Sequence, residues 1–207
     1  MKVVVMGAGG HGRVVLDILQ HDPQYDVVGF VDSDKSLQGK KMDGVLVLGD
    51  TSAISKLRHD GVEGAIVGIG DNRTREEFAR KFREAGFTLV NATHPRASIA
   101  RSVVLGRGVV IASGAIIAAH ARIGDCAIVN TGAIVEHECV VGEAVHIGPG
   151  VKVAGRTTIK KGAQIGIGAT VIQNLVIGEY ATIGAGSVVL QNVPDNATVV
   201  GVPGRVV

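Results

Sequence analysis

Glu136-His137-Glu138 concentrates more acid–base chemistry than any other stretch of this 207-residue chain. An imidazole between carboxylates has its protonated form stabilised and can take a proton from an attacking nucleophile as a general base. The same three residues would equally suit a solvated surface cluster, so the reading depends on what the fold sets beside the ring. A second group is Gly7-Ala8-Gly9-Gly10-His11-Gly12, a G-x-G-x-x-G pattern with Asp32 twenty residues beyond Gly12. Between a strand and a helix, such a turn offers backbone N–H groups and a helix N-terminus to phosphate, and the acid at the next strand end is placed for a ribose or base. The plainer alternative is a turn that packs strand on helix, with Asp32 an ordinary turn residue.

The elements that must position His137 announce themselves by period. From Ile99 through Leu105 and Ile111 to Val189, every sixth residue is Ile, Val or Leu, and the fourth residue after each anchor is small or β-branched in most hexads. Helical and simple strand periods do not give this repeat. A parallel β-helix does, because each hexad forms one face of a coil and stacked coils bury the anchors. Sixteen hexads at three per coil make just over five coils. Residues eighteen apart then stack at about 4.8 Å. Gly155 falls beside His137 and offers a bare backbone N–H, the donor a tetrahedral oxyanion needs. His120 stacks on Glu138 as a structural pairing. His146, half a coil from His137, lies on the opposite side of the prism, so the two meet only if prisms associate, and a threefold assembly would give three such sites.

Before residue 97 the hexads stop and an α/β alternation replaces them. Strands are expected at Val3–Met6, Val27–Val31, Val45–Leu48, Ala65–Ile69 and Thr88–Val90, with helices at Arg13–Gln20, Ser52–Arg58 and Arg73–Ala85. That order implies a small Rossmann-like parallel sheet, too short for both halves of a full dinucleotide fold and sized for one nucleotide with a diphosphate. The expected domains are residues 1–92, binding a nucleotide sugar, and 97–207, the β-helix with a C-terminal tail.

Composition narrows the classes. Aromatic residues make up 3% of the chain and Trp is absent, which suits a narrow solenoid interior. A net charge of +2 without a Lys/Arg–aromatic cluster argues against nucleic acid. The apolar run at the N-terminus is too short for a membrane span or signal peptide, so a soluble cytoplasmic protein is expected. Cys126 and Cys139 do not make a disulfide framework, and Cys139 falls on an inward small-residue position.

Taken with Ile69-Gly70-Asp71-Asn72, Arg75, Asn130-Thr131, His146 and Gly201-Val202-Pro203, these motifs span the chain in one order. The chain resembles the sugar acyltransferases that join a Rossmann-like domain to a left-handed β-helix, which include the UDP-4-amino-sugar N-acetyltransferases and the sialic-acid O-acetyltransferases. The resemblance implies a homotrimer with acetyl-CoA bound between β-helices as co-substrate, no permanently bound cofactor and no metal. It implies His137 as base, Glu138 as its activator and Gly155 as oxyanion donor. It further implies His146 in contact with acetyl-CoA, Ile167 and Gly184-Ala185-Gly186 along the pantetheine channel, and a nucleotide sugar held by Gly9, Gly10, His11, Asp32, Ser33, Ile69 and Gly70. Ser33 departs from the second acid that some of these enzymes carry after Asp32.

The activity expected is acetyl transfer from acetyl-CoA to an amino group, at C4, of a UDP-linked deoxy-amino sugar by direct attack. Three alternatives stand beside it. One is O-acetylation of sialic acid or a related sugar. Another is a non-catalytic trimeric nucleotide-binding protein. The third is a zinc hydrolase using His120, His137 and His146, which lacks the closely spaced histidine pair of that class.

Overall fold

The computed structural model describes residues Met1–Val207, which divide into two units, Met1–Ala92 and Thr93–Val207. In the first, six strands, β1 (Lys2–Met6), β2 (Asp26–Val31), β3 (Lys41–Met42), β4 (Val45–Gly49), β5 (Gly64–Val67) and β6 (Thr88–Leu89), form one sheet in the order β3-β4-β2-β1-β5-β6. All neighbours are parallel except the β3–β4 hairpin. Val3, Val4, Val5 and Met6 of β1 are all buried, the continuous apolar run of a central parallel strand. The helices are α1 (Gly10–Gln20), α2 (Ala53–His59) and α3 (Asn72–Glu84). Val15, Leu16, Ile18 and Leu19 form the buried face of α1, and Phe78, Ala79 and Phe82 that of α3.

Two details differ from the sequence expectation. α1 begins at Gly10 rather than Arg13, because the glycine motif itself supplies the first helical turn, with extended Gly9 as N-cap. The β3–β4 hairpin was not expected, although Asp43-Gly44, at φ +47° and +83°, carries the Asp-Gly signal of a tight turn.

The second unit is a solenoid of two-residue strands in three parallel sheets. From Ser98 to Val189 the strands pair at a spacing of eighteen residues, for example Ile134 with Lys152 and Ile128 with His146. The anchors from Ile111 to Val189 are buried in one continuous core. At the C-terminal end, Thr198–Val200 joins the eight-stranded sheet and pairs antiparallel with Arg205–Val206. No helix is long and apolar enough to cross a membrane.

The corners of the coil repeat a feature that the hexad anchors do not disclose. Every sixth residue from Gly108 to Gly186 has positive φ, and half of these positions are not glycine. One corner stacks Gly114, Gly132, Gly150, Gly168 and Gly186, at φ between +64° and +69°. The next stacks His120, Glu138, Arg156 and Asn174, all left-handed without being glycine. A side chain at such a position costs conformational energy that glycine avoids. The polar corner thus carries local strain that the glycine corner does not.

Candidate active site

The chain turn after β1 assigns a different task to each glycine. Gly7, at φ +95°, makes the turn that only glycine adopts readily. A Cβ on Gly12 would run into the Gly7 carbonyl, and the Gly12 Cα packs against Gly68. Gly9 and Gly10 are different, since a Cβ on either would meet nothing within 4 Å. Their bare backbone faces a cavity of about 420 Å³ lined also by His11, Asp32, Ser33, Ile69 and Gly70. All seven residues expected at the nucleotide sugar therefore come together, with Met6, Thr74 and Phe78 completing the wall. The cavity sits at the carboxyl ends of β1, β2 and β5, where the strand order reverses direction about β1, the usual ligand position in an open α/β sheet.

Buried polar groups brace this wall. Arg75 is fully buried and donates from Nη1 to the Ile69 and Gly70 carbonyls, both at 3.0 Å, and from Nη2 to Asn72 Oδ1 at 2.8 Å. Asp71 caps α3 by accepting from the Thr74 N–H at 2.8 Å, and hydrogen bonds from the Thr74 side chain and then its amide hold the carboxyl below the usual range. Burial, and then the charge of Arg75, push the His11 imidazole down to about 4, so it stands neutral in the cavity at pH 7. Asp32 Oδ2 accepts from the Ala8 N–H at 2.7 Å, and Oδ1 accepts from the Asp34 N–H at 2.8 Å.

In the solenoid, His137 and Glu138 occupy the polar corner that follows the Ile134–Val135 strand. His137 Nδ1 lies 3.0 Å from Glu138 Oε2. In the tautomer with the proton on Nδ1, that N–H donates to the carboxylate and the Nε2 lone pair is left as an acceptor. Arg156 Nη1 is 4.0 Å from the same Oε2, and Arg156 Nε donates to Asn174 Oδ1 at 2.8 Å. Glu138 is thus partnered by His137 and Arg156 rather than by His120, whose amide donates to Ser102 Oγ at 3.0 Å. The expected His120–Glu138 pairing is corrected: stacked Cα positions do not decide where long side chains turn. Gly155 packs directly against the imidazole, where a Cβ would stand 2.6 Å from His137 Nε2 and Cε1. The ring itself occupies the space that the missing side chain leaves.

His146 lies in a strand of the eight-stranded sheet, away from the His137 corner. Its Nε2 is 3.1 Å from Asn130 Nδ2, while Asn130 Oδ1 accepts from the Thr131 N–H at 2.8 Å. The amide orientation makes His146 Nε2 an acceptor and places the ring proton on Nδ1. Asn130 is thus part of this site, and its presence beside Thr131 in the sequence was the signal. Ile167 is 59% exposed on the glycine corner, and Gly186 is open there. Ala185 is exposed, but a Cβ on Gly184 would stand 2.9 Å from Val200 Cγ1, so Gly184 serves coil packing. Cys139 Sγ donates to the Ala154 carbonyl at 3.3 Å, and burial pushes its thiol upward, which disarms it as a nucleophile.

Comparison with known proteins matches this geometry to a family. The PglD N-terminal domain model matches residues 2–82, and the bacterial transferase hexapeptide model matches residues 156–191. A mutant of the GDP-perosamine N-acetyltransferase of Caulobacter crescentus, solved with CoA and GDP-perosamine, superposes with a TM-score of 0.96 at 42% identity, covering 100% of this chain and 97% of that one. The acetyltransferase domain of PglB from Neisseria gonorrhoeae, solved with acetyl coenzyme A, gives a TM-score of 0.92 at 34% identity, covering 100% and 98%. The UDP-N-acetylbacillosamine N-acetyltransferase of Bacillus subtilis is 33% identical over 112 residues, 53% of this chain and 50% of that protein. The matches to curated relatives span between 25% and 50% of their length. With both units matched in order, and whole-chain likeness to acetyl-CoA-dependent sugar N-acetyltransferases, the chain belongs to the sugar acyltransferases that join a PglD-type Rossmann-like domain to a hexapeptide-repeat β-helix.

Proposed function

We propose that the chain transfers acetyl from acetyl-CoA to the amino group, at C4, of a nucleotide-linked deoxy-amino sugar. The observation that carries this reading is His137, with Nδ1 held 3.0 Å from Glu138 and Nε2 packed over Gly155. The sugar amine attacks the thioester carbonyl and its proton passes to His137 Nε2. The tetrahedral oxyanion is met by the Gly155 N–H. Collapse breaks the C–S bond, and the departing thiolate regains a proton from the imidazolium. His146 contacts the acetyl donor, and Ile167 with the open glycine corner lines the pantetheine path. The nucleotide end is held by the cavity of the first unit. The family resemblance implies a UDP-linked acceptor, but the 42% whole-chain likeness is to an enzyme of a GDP-linked sugar, so the GDP-linked acceptor is the first to test and the UDP-linked one the second.

The same geometry supports a homotrimer as part of this proposal: His137 and His146 sit on different sides of one prism, and a site that uses both needs a second chain. The test is free thiol release from acetyl-CoA with GDP- and UDP-linked 4-amino sugars. His137→Ala is expected to lower kcat by roughly 10²–10⁴. Near-normal turnover of that variant with a saturating acceptor would overturn the assignment.

A further inference from the structure

The carboxylate beside His137 has a second partner, and that partner is itself held. Glu138 Oε2 lies 3.0 Å from His137 Nδ1 and 4.0 Å from Arg156 Nη1, so one oxygen faces both an imidazole and a guanidinium. Arg156 Nε donates to Asn174 Oδ1 at 2.8 Å, which fixes the guanidinium from the coil beyond. Glu138, Arg156 and Asn174 stack on one left-handed corner, eighteen residues apart. The backbone ladder holds that register, since the Arg156 N–H donates to the His137 carbonyl at 3.0 Å and the Asn174 N–H to the Gly155 carbonyl at 3.1 Å. The neighbouring corner makes the same turn with glycine from Gly114 to Gly186. The turn itself therefore does not call for a carboxylate, a guanidinium and an amide in line.

We infer that Arg156, latched by Asn174, is a positioning residue for the transfer reaction: it keeps Glu138 aimed at His137 Nδ1 and, as a cation beside the shared oxygen, limits how far that carboxylate favours the protonated ring. The inference rests on His137 being the base. The remaining titratable groups about the ring are Glu136 in the same coil and His120 in the preceding one. Gly155 and Ala119, stacked on either side of His137 at the eighteen-residue spacing, bring no charge. A carboxylate next to an imidazole favours the imidazolium, and a cation disfavours it. Glu138 and Arg156 therefore move the acidic limb of the rate profile in opposite directions. Both side chains are 54% exposed, so the effect is modest and weakens with salt.

The test is kcat against pH at low ionic strength for the wild type, Arg156→Gln, Glu138→Gln and the double variant, with thermal melts alongside. Arg156→Gln should lower the plateau kcat about two- to fivefold, the usual range for a half-exposed ion pair. It should also move the acidic limb up by about 0.3–0.5 pH unit, whereas Glu138→Gln should move it down. In the Glu138→Gln background the Arg156 substitution should leave the plateau unchanged, because no carboxylate remains to be positioned. The same plateau loss in both backgrounds, or an acidic limb that Arg156→Gln does not move, would overturn the inference. If Arg156→Gln fails to fold, Asn174→Ala serves in its place: releasing the guanidinium should lower the plateau only where Glu138 is present, and an equal loss without Glu138 overturns the inference. Near-normal turnover of His137→Ala would instead remove the base on which the inference rests.

Discussion

At the residue scale, the arrangement around His137 depends on an absent side chain. With a Cβ at Gly155 placed 2.6 Å from the imidazole, Gly155→Ala should push the ring off its position while leaving the coil ladder intact. A displacement of this size should lower kcat by about a hundredfold with little change in the acetyl-CoA KM, checked by steady-state kinetics beside a thermal melt. His137, Glu138 and Gly155 were legible in the sequence because charge flanking and an eighteen-residue stack are both properties of spacing. Arg156 and Asn174 were not. Their guanidinium–amide bond and the approach to Glu138 depend on left-handed backbone at residues 138, 156 and 174, a conformation that Asn tolerates but that nothing in the side chains of Glu or Arg announces. Asp32 was legible as a cavity residue. Its two backbone partners were not, because a sequence motif names the residue and not the direction of its oxygens.

At the scale of elements, the glycine turn separates fold from binding. Gly12→Ala forces a Cβ into the Gly7 carbonyl where α1 meets β1, and overpacking of this kind costs about 1–3 kcal/mol. Gly10→Ala meets nothing and sits in the first turn of α1, so it should leave stability unchanged or slightly raised. The expected outcome is a crossed pattern in paired melts and nucleotide titrations: Gly12→Ala lowers the melting temperature, whereas Gly10→Ala lowers affinity alone. Equal melting temperatures for the two variants would refute this division of labour. The sheet and its helices were readable from period and punctuation. The β3–β4 hairpin escaped because its strands are short and β3 has only two residues, too few for any alternation to register, even though Asp43-Gly44 marks the turn. In the solenoid, by contrast, sixteen repeats of one anchor left no ambiguity of register.

At the scale of the whole molecule, the three corners of the prism differ in kind. One is polar and holds His137; one is bare glycine with Ile167 beside it; the third carries the charged series Arg107, Asp125, Glu143, Lys161 and Glu179. On the roles proposed for His137 and His146, the base and the donor contact lie on different sides of the prism, and the proposed site is complete only when a second chain supplies what the first lacks. That requirement gives a test independent of any acceptor's identity. His137→Ala and His146→Ala homotrimers should each be impaired, the second chiefly at subsaturating acetyl-CoA. Unfolded together in equal amounts and refolded, they form mixed trimers, in each of which a single interface combines an intact His137 with an intact His146. Random assembly then restores about a quarter of the wild-type sites, read at subsaturating acetyl-CoA, where both unmixed variants are impaired. Sedimentation of the mixture confirms the mass of three chains. Recovery of activity to that level marks a site shared between subunits, whereas no recovery in properly assembled mixtures would mean that each chain carries its whole site alone.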